Sequence, residues 1–304
     1  MKPKDVLALF GLAALWGASF LFIRIAAPVL GPFLTIQGRV TLAGVALLLL
    51  LWGTRRSAAF RQYWKQYLII GALNAAIPFS LIATAALHLH ASLSAILNSL
   101  TPLFTACVAG IWMKERLTAR KWAGIMLGIS GVAVLVGWSS LPLTREVIMS
   151  VLFSILSTLS YAFAGVYAKK AFQNQSPLAV AAGQQMGASV LMLPLAVWDL
   201  PVAASDLSAV VIFSVLGLAL FCTAIGYLLY FQLIASVGPT KTLSVTFLIP
   251  LFGVIWGVLF LHEQVTFGTL AGLAVILSSI FLISELPLPA FLASQQKEAR
   301  EQQT

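Results

Sequence analysis

Ten apolar runs, each long enough to cross a lipid bilayer, restrict what this sequence can fold into. A helix needs about 20 mostly apolar residues to span a hydrocarbon layer of about 30 Å. The runs cover residues 6–27, 32–52, 67–87, 91–113, 119–137, 147–168, 177–197, 207–235, 240–261 and 266–284. We therefore predict an all-α polytopic membrane protein with ten transmembrane helices.

Charge is scarce in the chain, and it is scattered. Hydrophobic residues make up 60% of the sequence and charged residues only 9%, with a mean hydropathy of +0.99. So little charge cannot cover the surface of a soluble domain of 304 residues, and lipid must solvate much of the chain. The net charge of +9 does not indicate a nucleic-acid-binding protein, because the basic residues lie in short loops and form no single basic face.

The basic residues predict how the chain is oriented, since cytoplasmic loops are enriched in Lys and Arg. With the amino terminus inside, Arg24 and Arg39 lie within spans and only Arg145 lies in an outer loop. The other basic residues then all fall on the cytoplasmic side: Lys2, Lys4, Arg55, Arg56, Arg61, Lys65, Lys114, Arg116, Arg120, Lys121, Lys169, Lys170, Lys241, Lys297 and Arg300. We predict a multi-pass protein of the bacterial inner membrane with both termini cytoplasmic.

The two halves of the chain repeat one another. A shift of 148 positions, which carries Pro102 onto Pro250, also aligns residues that apolar composition alone does not explain: Glu115 with Glu263, Thr118 with Thr266, and Gly124 with Gly272. Each half has five spans, an odd number, so the second half must enter the membrane from the opposite side. We predict two inverted five-helix repeats, 1–140 and 141–286, followed by a disordered cytoplasmic tail, 287–304. Inverted repeats are typical of secondary transporters.

Several short motifs within these repeats point to a known family. They are Trp16-Gly17-Ala18-Ser19-Phe20, the stretch from Asn98 to Pro102, and the paired segments 114–118 and 262–266. In these motifs, and over nearly all of residues 6–284, the sequence resembles the EamA domain, which occurs twice in members of the drug/metabolite transporter superfamily. The resemblance implies a ten-helix inverted fold and an inner-membrane carrier, which in bacteria is often an exporter of amino acids or related metabolites. Tyr161 is a departure, because the family often has a Trp in this region.

Polar and aromatic residues within the spans are the candidates for a substrate pathway. Polar groups are costly in hydrocarbon and therefore face the interior of a helix bundle. Two roles are open for each of them, because such residues line pathways and also join helices by hydrogen bonds. Spacings of three or four place pairs such as Trp16 and Phe20 on one helix face. The candidates are Trp16, Phe20, Arg39, Asn74, Asn98, Thr101, Pro102, Tyr161, Gln184, Gln185, Tyr227, Tyr230, Ser244, Thr246 and Pro250.

Pro102 and Pro250 occupy matching positions near the middles of the fourth and ninth spans. Proline removes a backbone donor and crowds the preceding turn, so we expect a kink in each span. The carbonyl groups freed by a kink need polar partners. Four polar residues precede the two prolines: Asn98, Thr101, Ser244 and Thr246. Paired interruptions in the two halves indicate a central binding site, and a purely structural bend is the alternative.

Arg39 is the only ionised residue well away from the end of a span. It lies in the outer third of the second span, where it binds a substrate carboxylate, guards the outer mouth, or extends its charged end toward the interface. Gln184 is its repeat equivalent, followed by Gln185, and Asn74 lies in the third span. A path rich in aromatic residues with a single Arg favours apolar or aromatic amino acids and similar amphipathic metabolites.

The energy source is predicted from what the spans lack. None of the acidic residues falls within a predicted span, whereas proton- or sodium-driven carriers usually keep an intramembrane carboxylate. We therefore expect facilitated or exchange transport. The sequence contains no G-x-x-x-x-G-K-[ST] stretch, so ATP hydrolysis is not indicated. Cys107 and Cys222 form neither a metal-ligand cluster nor a disulfide framework, and no cofactor or metal is expected.

Two other classes compete with a carrier. A membrane aspartyl protease needs two Asp within spans, but Asp5, Asp199 and Asp206 all lie outside them, and the H-E-x-x-H and G-x-S-x-G motifs are missing. We therefore predict that the protein is not an enzyme, with a membrane-embedded transferase as the weaker alternative. A channel-like facilitator is the stronger alternative. The expected partners are a small-molecule substrate and the lipid bilayer; a monomer is sufficient, and a dimer is compatible with the sequence.

Overall fold

The computed structural model describes residues 1–55, 57–112, 114, 117–139, 141–200, 202–203, 205 and 207–284. The predicted tail, 287–304, lies outside the described residues, as do Glu115 and Asp206. The described chain is helical and contains no strand. Its ten long helical segments, numbered α1 to α10, are Pro3–Leu30, Pro32–Gly53, Phe60–Ala85, Ala91–Trp112, Ala119–Gly137, Arg145–Ala171, Pro177–Asp199, Ala209–Val237, Val245–Leu261 and Phe267–Ile283.

Ten transmembrane helices, as predicted, are confirmed. The segments α1 to α8 are long and apolar enough to cross a membrane, while α9 and α10 are shorter apolar helices of 17 residues each. The largest error concerns α3, which begins at Phe60 and not at residue 67. Its first turns alternate basic and aromatic side chains, so their hydropathy is low, yet Tyr63 and Tyr67 pack against Phe172.

Three acidic residues lie within the long helices, so the prediction that no acidic residue falls in a span is wrong. In the structure α1 includes Asp5, α6 includes Glu146 and α7 ends at Asp199. All three lie in the first or last turn of their helices, and Asp5 is buried. A carboxylate in the first turn of a helix is stabilised by the helix dipole, which explains how Asp5 and Glu146 extend their helices beyond the apolar run.

Equivalent helices of the two halves make equivalent contacts. In the first half α1 packs against α8 and α9, and the equivalent helix of the second half, α6, packs against α3 and α4. Three further pairs join equivalent helices directly: α2 with α7, α4 with α9, and α5 with α10. Because α1 and α6 each exchange into the opposite half, the interface between the repeats runs through the centre of the bundle.

Several helices near the centre depart from α-helical geometry. The segment α4 is broken at Ser99–Leu100, immediately before Pro102. In α3 and α8 the stretches Ala72–Ala76 and Gly217–Ile225 are π-helical, and the 148-residue shift superposes them. Such π-helical turns occur mostly at functional sites. The interruption predicted near Pro102 is therefore present as a break.

No helix break occurs at Pro250, where the matching interruption is predicted. The helix α9 runs without interruption from Val245 to Leu261 through Pro250. The break in this part of the chain comes earlier, at Leu243–Ser244, after the one-turn helix Pro239–Thr242. A proline removes one hydrogen bond from a helix, and the tertiary contacts of α9 with α1 and α4 keep the helix continuous there.

N-cap threonines begin the last helix of each half, and glycines allow two helices to cross closely. Thr118 and Thr266 are the N-cap residues of α5 and α10, and each side chain accepts a hydrogen bond from a backbone N–H three residues later. Where α3 crosses α7, the backbone of Tyr67 lies so close to Gly187 that a Cβ there would collide with it. Gly183, four residues earlier, also lies against Tyr67, so the two glycines allow the close approach of α3 and α7.

Candidate functional site

A cavity of about 320 Å³ lies between the two halves, where the irregular parts of the helices meet. Its wall comes from α1, α2, α3 and α4 of the first half and from α6, α8 and α9 of the second. Ligand sites for small molecules have volumes of this order. The cavity is mostly apolar and contains a few polar groups, which is the composition that gives a site both affinity and orientation.

The structure brings most of the predicted pathway residues together around this cavity. The candidates that line it are Trp16, Phe20, Arg39, Asn74, Asn98, Thr101, Pro102, Tyr161, Tyr227, Tyr230 and Thr246. Four candidates are not part of its wall: Gln184, Gln185, Ser244 and Pro250.

Arg39 is the charged group of the wall. Its side chain is 6% exposed, so it does not extend to the membrane surface as the snorkelling alternative requires. The Nε atom donates a hydrogen bond of 3.0 Å to Thr223 Oγ1. The guanidinium carbon lies 3.7 Å from the centre of the Phe79 ring, a cation–π contact. Among the described residues, no carboxylate forms an ion pair with Arg39, and no lining residue is acidic.

The π-helical turn of α8 positions the partner of Arg39. Thr223 Oγ1 donates to the carbonyl of Leu218, five residues earlier, at 2.7 Å. This bond orients the lone pairs of the hydroxyl toward Arg39, which donates to the same oxygen. The π-helical turn of α3 likewise contains Asn74, whose Nδ2 donates to Gln184 Oε1 at 3.0 Å. Irregular turns at equivalent places in the two halves thus provide polar groups to one cavity.

Gln184 belongs to the support of the wall. Its Nε2 donates to the hydroxyl of Tyr227 at 2.5 Å, while its Oε1 accepts from Asn74. It therefore holds two lining side chains from behind the wall and joins three helices by hydrogen bonds. Gln185 is fully buried beside it.

Aromatic side chains form the apolar part of the cavity. The rings of Trp16 and Tyr230 are 5.4 Å apart, which joins α1 to α8 across the repeat interface. Phe79 and Tyr161 meet edge to face at 6.3 Å and join α3 to α6. Phe20 is buried in the same core cluster. These contacts place aromatic faces on opposite sides of the space, with Arg39 above Phe79.

The break in α4 exposes polar groups to the same space. Thr101 Oγ1 donates to the carbonyl of Asn98 at 2.7 Å, and Ser99 Oγ donates to the carbonyl of Ile96 at 2.6 Å. These bonds compensate for the backbone bonds lost around Pro102. Asn98 Oδ1 is buried and has no partner among the described residues. Beside this break, one side-chain acceptor of a lining residue is thus buried and unpaired among the described residues.

Sequence reasoning missed several lining residues. Phe79 and Thr223 were not identified because single apolar residues and threonines are common in spans. The repeat could have identified Thr223. The 148-residue shift that relates the halves aligns Asn74 with Cys222, which is next to Thr223. The other lining residues missed are Ser19, Ile23, Ile82, Ser99, Gly165, Cys222, Leu243, Val245 and Ile249.

The cavity opens toward one end of the bundle. Gly165 and Leu243 line it and are exposed, with Leu243 at 48%. At the other end the lining residues Ile23 and Ile82 are buried. The exposed mouth lies near the carboxyl-terminal ends of α6, whose last turn contains Lys169 and Lys170, and of α8, which is followed by Lys241.

A second, wider cavity lies at the opposite end of the bundle. It has a volume of about 800 Å³, and its wall includes Arg24, His90 and His262. Arg24 Nη1 donates to the carbonyls of Ala86 and Leu87 at 2.5 and 3.1 Å. Ile23 lines the central cavity and the next residue, Arg24, lines the second, so the two spaces meet different faces of the same turn of α1.

A ten-helix membrane protein with two similar halves, a central, mostly apolar cavity that contains a few polar groups, and a second cavity at the opposite end has the architecture of a membrane transporter. Comparison with known families agrees, because the model of the EamA-like transporter family matches residues 4–137 and again 148–285. The chain belongs to this family. The resemblance inferred from the sequence motifs is confirmed.

Individual relatives and a solved structure extend the comparison. The uncharacterized transporter YvbV of Bacillus subtilis is 28% identical over 284 residues, covering 93% of this chain and 92% of its own length. The uncharacterized transporter YoaV of the same organism is 20% identical over 280 residues, covering 92% and 96%. A crystal structure with 16% identity covers 93% of this chain and 96% of its own with a TM-score of 0.66, which shows that the fold is shared.

Proposed function

We propose that this protein is a secondary transporter that moves small metabolites across the bacterial inner membrane by alternating access. The observation that carries the proposal is the central cavity at the repeat interface, open at one end and closed at the other by buried side chains. In inverted-repeat carriers, exchange of conformation between the two halves moves the opening from one side to the other. The second cavity provides the other exit once the side chains that separate the two cavities move apart.

The charge distribution supports an orientation with both termini cytoplasmic. Arg145 is then the only basic loop residue on the outer side. In this orientation the mouth near Lys169, Lys170 and Lys241 faces the cytoplasm. The conformation is the one in which an exporter takes up its cargo, and we propose export as the net direction.

Amino acids with apolar or aromatic side chains, or related compounds, are the proposed cargo. Arg39 suits a carboxylate, and the rings of Trp16, Tyr161 and Tyr230 suit an apolar side chain. The lining residues include no carboxylate, so transport is of the facilitated or exchange type and needs no carboxylate-based proton coupling. One chain contains both halves, and a monomer is sufficient.

Uptake of a radiolabelled amino-acid panel into proteoliposomes tests this function. We expect saturable flux that is selective among panel members, and Trp16→Ala and Arg39→Ala should reduce it. Flux that stays linear with concentration and shows no trans-stimulation by unlabelled substrate would favour the channel-like alternative. No flux for any member would remove amino acids and turn the search to other metabolites.

A further inference from the structure

Arg39 is a buried cation without a partner of opposite charge among the described residues. A guanidinium remains protonated in proteins, so the site keeps its positive charge. An ion buried without a compensating charge is unfavourable. Thr223 is a neutral partner and satisfies only Nε. The terminal nitrogens of the fork therefore remain available on the cavity side, and an anion bound there would offset the cost.

The guanidinium is also held in a defined direction. Phe79 lies under its flat face, and the hydroxyl of Thr223, itself fixed to Leu218, holds the Nε edge. Both supports act on the parts of the group that do not bind a bidentate ligand. A planar fork presented in this way matches a carboxylate, which accepts two parallel N–H···O bonds.

The same cavity provides no charged partner for an ammonium group. Its lining residues include no Asp or Glu. The side-chain oxygens of lining residues that have no partner among the described residues, Asn98 Oδ1 and Ser19 Oγ, are buried and neutral. A neutral acceptor holds an ammonium weakly, because burying that charge needs compensation by an anion. The cavity therefore discriminates strongly at one end of an amino acid and weakly at the other.

We propose that Arg39 makes a carboxylate the group that the substrate must carry, and that an ammonium group is dispensable. The substrate class is then amphipathic monocarboxylates, with the apolar part between Trp16, Tyr161 and Tyr230. Apolar amino acids are one group within this class, and their des-amino analogues are another. This inference rests on the proposed function and specifies the substrate class of the same cavity.

Three probes that share one phenyl ring and one two-carbon chain separate the head groups. They are 3-phenylpropionate, phenylalanine and 2-phenylethylamine, titrated into the purified full chain in detergent by isothermal titration calorimetry. We expect both carboxylates to bind with dissociation constants within tenfold of one another, and the amine to bind at least tenfold more weakly than either. Binding of the amine as tightly as the carboxylates, or of none of the three, would overturn the proposal.

Variants of the cation provide the second readout. Arg39→Gln should weaken both carboxylates at least tenfold and leave the amine unchanged. Arg39→Lys should retain part of the affinity, since it keeps the charge but loses the fork. Arg61→Gln removes an exposed Arg and serves as the control. Unchanged carboxylate binding in folded Arg39→Gln would overturn the inference; if this variant does not fold, the comparison of the three probes with the wild type decides.

Flux measurements with the same probes keep the two proposals apart. Carboxylate binding without flux in proteoliposomes would contradict the carrier function and leave the role of Arg39 intact. Flux of 2-phenylethylamine that does not depend on Arg39 would overturn the carboxylate requirement and leave the carrier function intact.

Discussion

The carboxylate of Glu263 caps the helix that begins next to Ser92. Its Oε1 accepts from the backbone N–H of Ala91 at 2.6 Å, and its Oε2 accepts from the backbone N–H and the hydroxyl of Ser92 at 3.0 and 2.6 Å. Glu263 lies between α9 and α10 of the second half, and Ser92 is in the first turn of α4 in the first half. A negative charge at a helix N-terminus satisfies unpaired donors and interacts favourably with the helix dipole. The motif residue Glu263 therefore joins the halves at the closed end of the cavity.

Replacing Glu263 should loosen this end of the protein. Glu263→Ala removes three hydrogen bonds to one carboxylate, and we expect a loss of about 2–3 kcal/mol in the free energy of unfolding. Ser92→Ala removes only the hydroxyl bond and should cost about 1 kcal/mol. Thermal unfolding in detergent measures both, with the exposed Arg61→Gln as the control. Equal midpoints for wild type and Glu263→Ala would show that the cap contributes nothing.

Thr223 should act on substrate through Arg39. Thr223→Val keeps the shape of the side chain but removes the oxygen that accepts from Arg39 Nε, so the fork loses one of its two supports. We expect KM to rise about tenfold, the effect of about 1.4 kcal/mol, for substrates with a carboxylate. Thr223→Ser retains the hydroxyl and should stay near the wild type. Saturation curves in proteoliposomes provide the measurement, and equal KM values for the Val and Ser variants would contradict the positioning role.

Gly226 should set the width of the aromatic part of the cavity. A Cβ at this position would lie 2.7 Å from Nε1 of Trp16, which packs against Tyr230. Gly226→Ala must therefore displace the indole, and we expect flux of substrates with large rings to fall severalfold more than flux of small ones. Gly137→Ala is the matched control, because nothing lies within 4 Å of its added methyl group. A uniform loss of flux for all substrates would indicate general damage and contradict a role in size selection.

Much of the fold and of the cavity is predictable from the sequence because lipid simplifies the problem. A polar residue within an apolar run must face the interior of the bundle, and this constraint correctly predicted Arg39, Asn74 and Asn98 at the cavity. The same constraint did not distinguish residues that line the cavity from residues that hold the lining residues in place. Gln184 satisfies the same criterion, yet it bonds to Asn74 and Tyr227 from behind the wall.

The errors have identifiable physical causes. Phe79 is an ordinary apolar residue in the sequence, and its contact with Arg39 depends on how α2 and α3 cross. The second helix break does not fall at Pro250, because α9, which packs against α1 and α4, is continuous there, and the break falls at Leu243–Ser244. Local patterns predict where a helix is weakest, whereas tertiary contacts decide whether it breaks.

Asp5 provides the sharpest test of the energy source. It is buried at 4% exposure in the first turn of α1, its Oδ1 has no partner among the described residues, and it is not part of the cavity wall. We expect flux driven by a fixed substrate gradient to persist when an ionophore collapses the pH gradient, and Asp5→Asn to transport at a rate within about twofold of the wild type, because no carboxylate reaches the substrate. Counterflow at equal pH on both sides should be unaffected as well. Collapse of wild-type flux with the pH gradient, together with loss of that sensitivity in Asp5→Asn, would instead make Asp5 a proton-coupling residue that acts at a distance from the cavity.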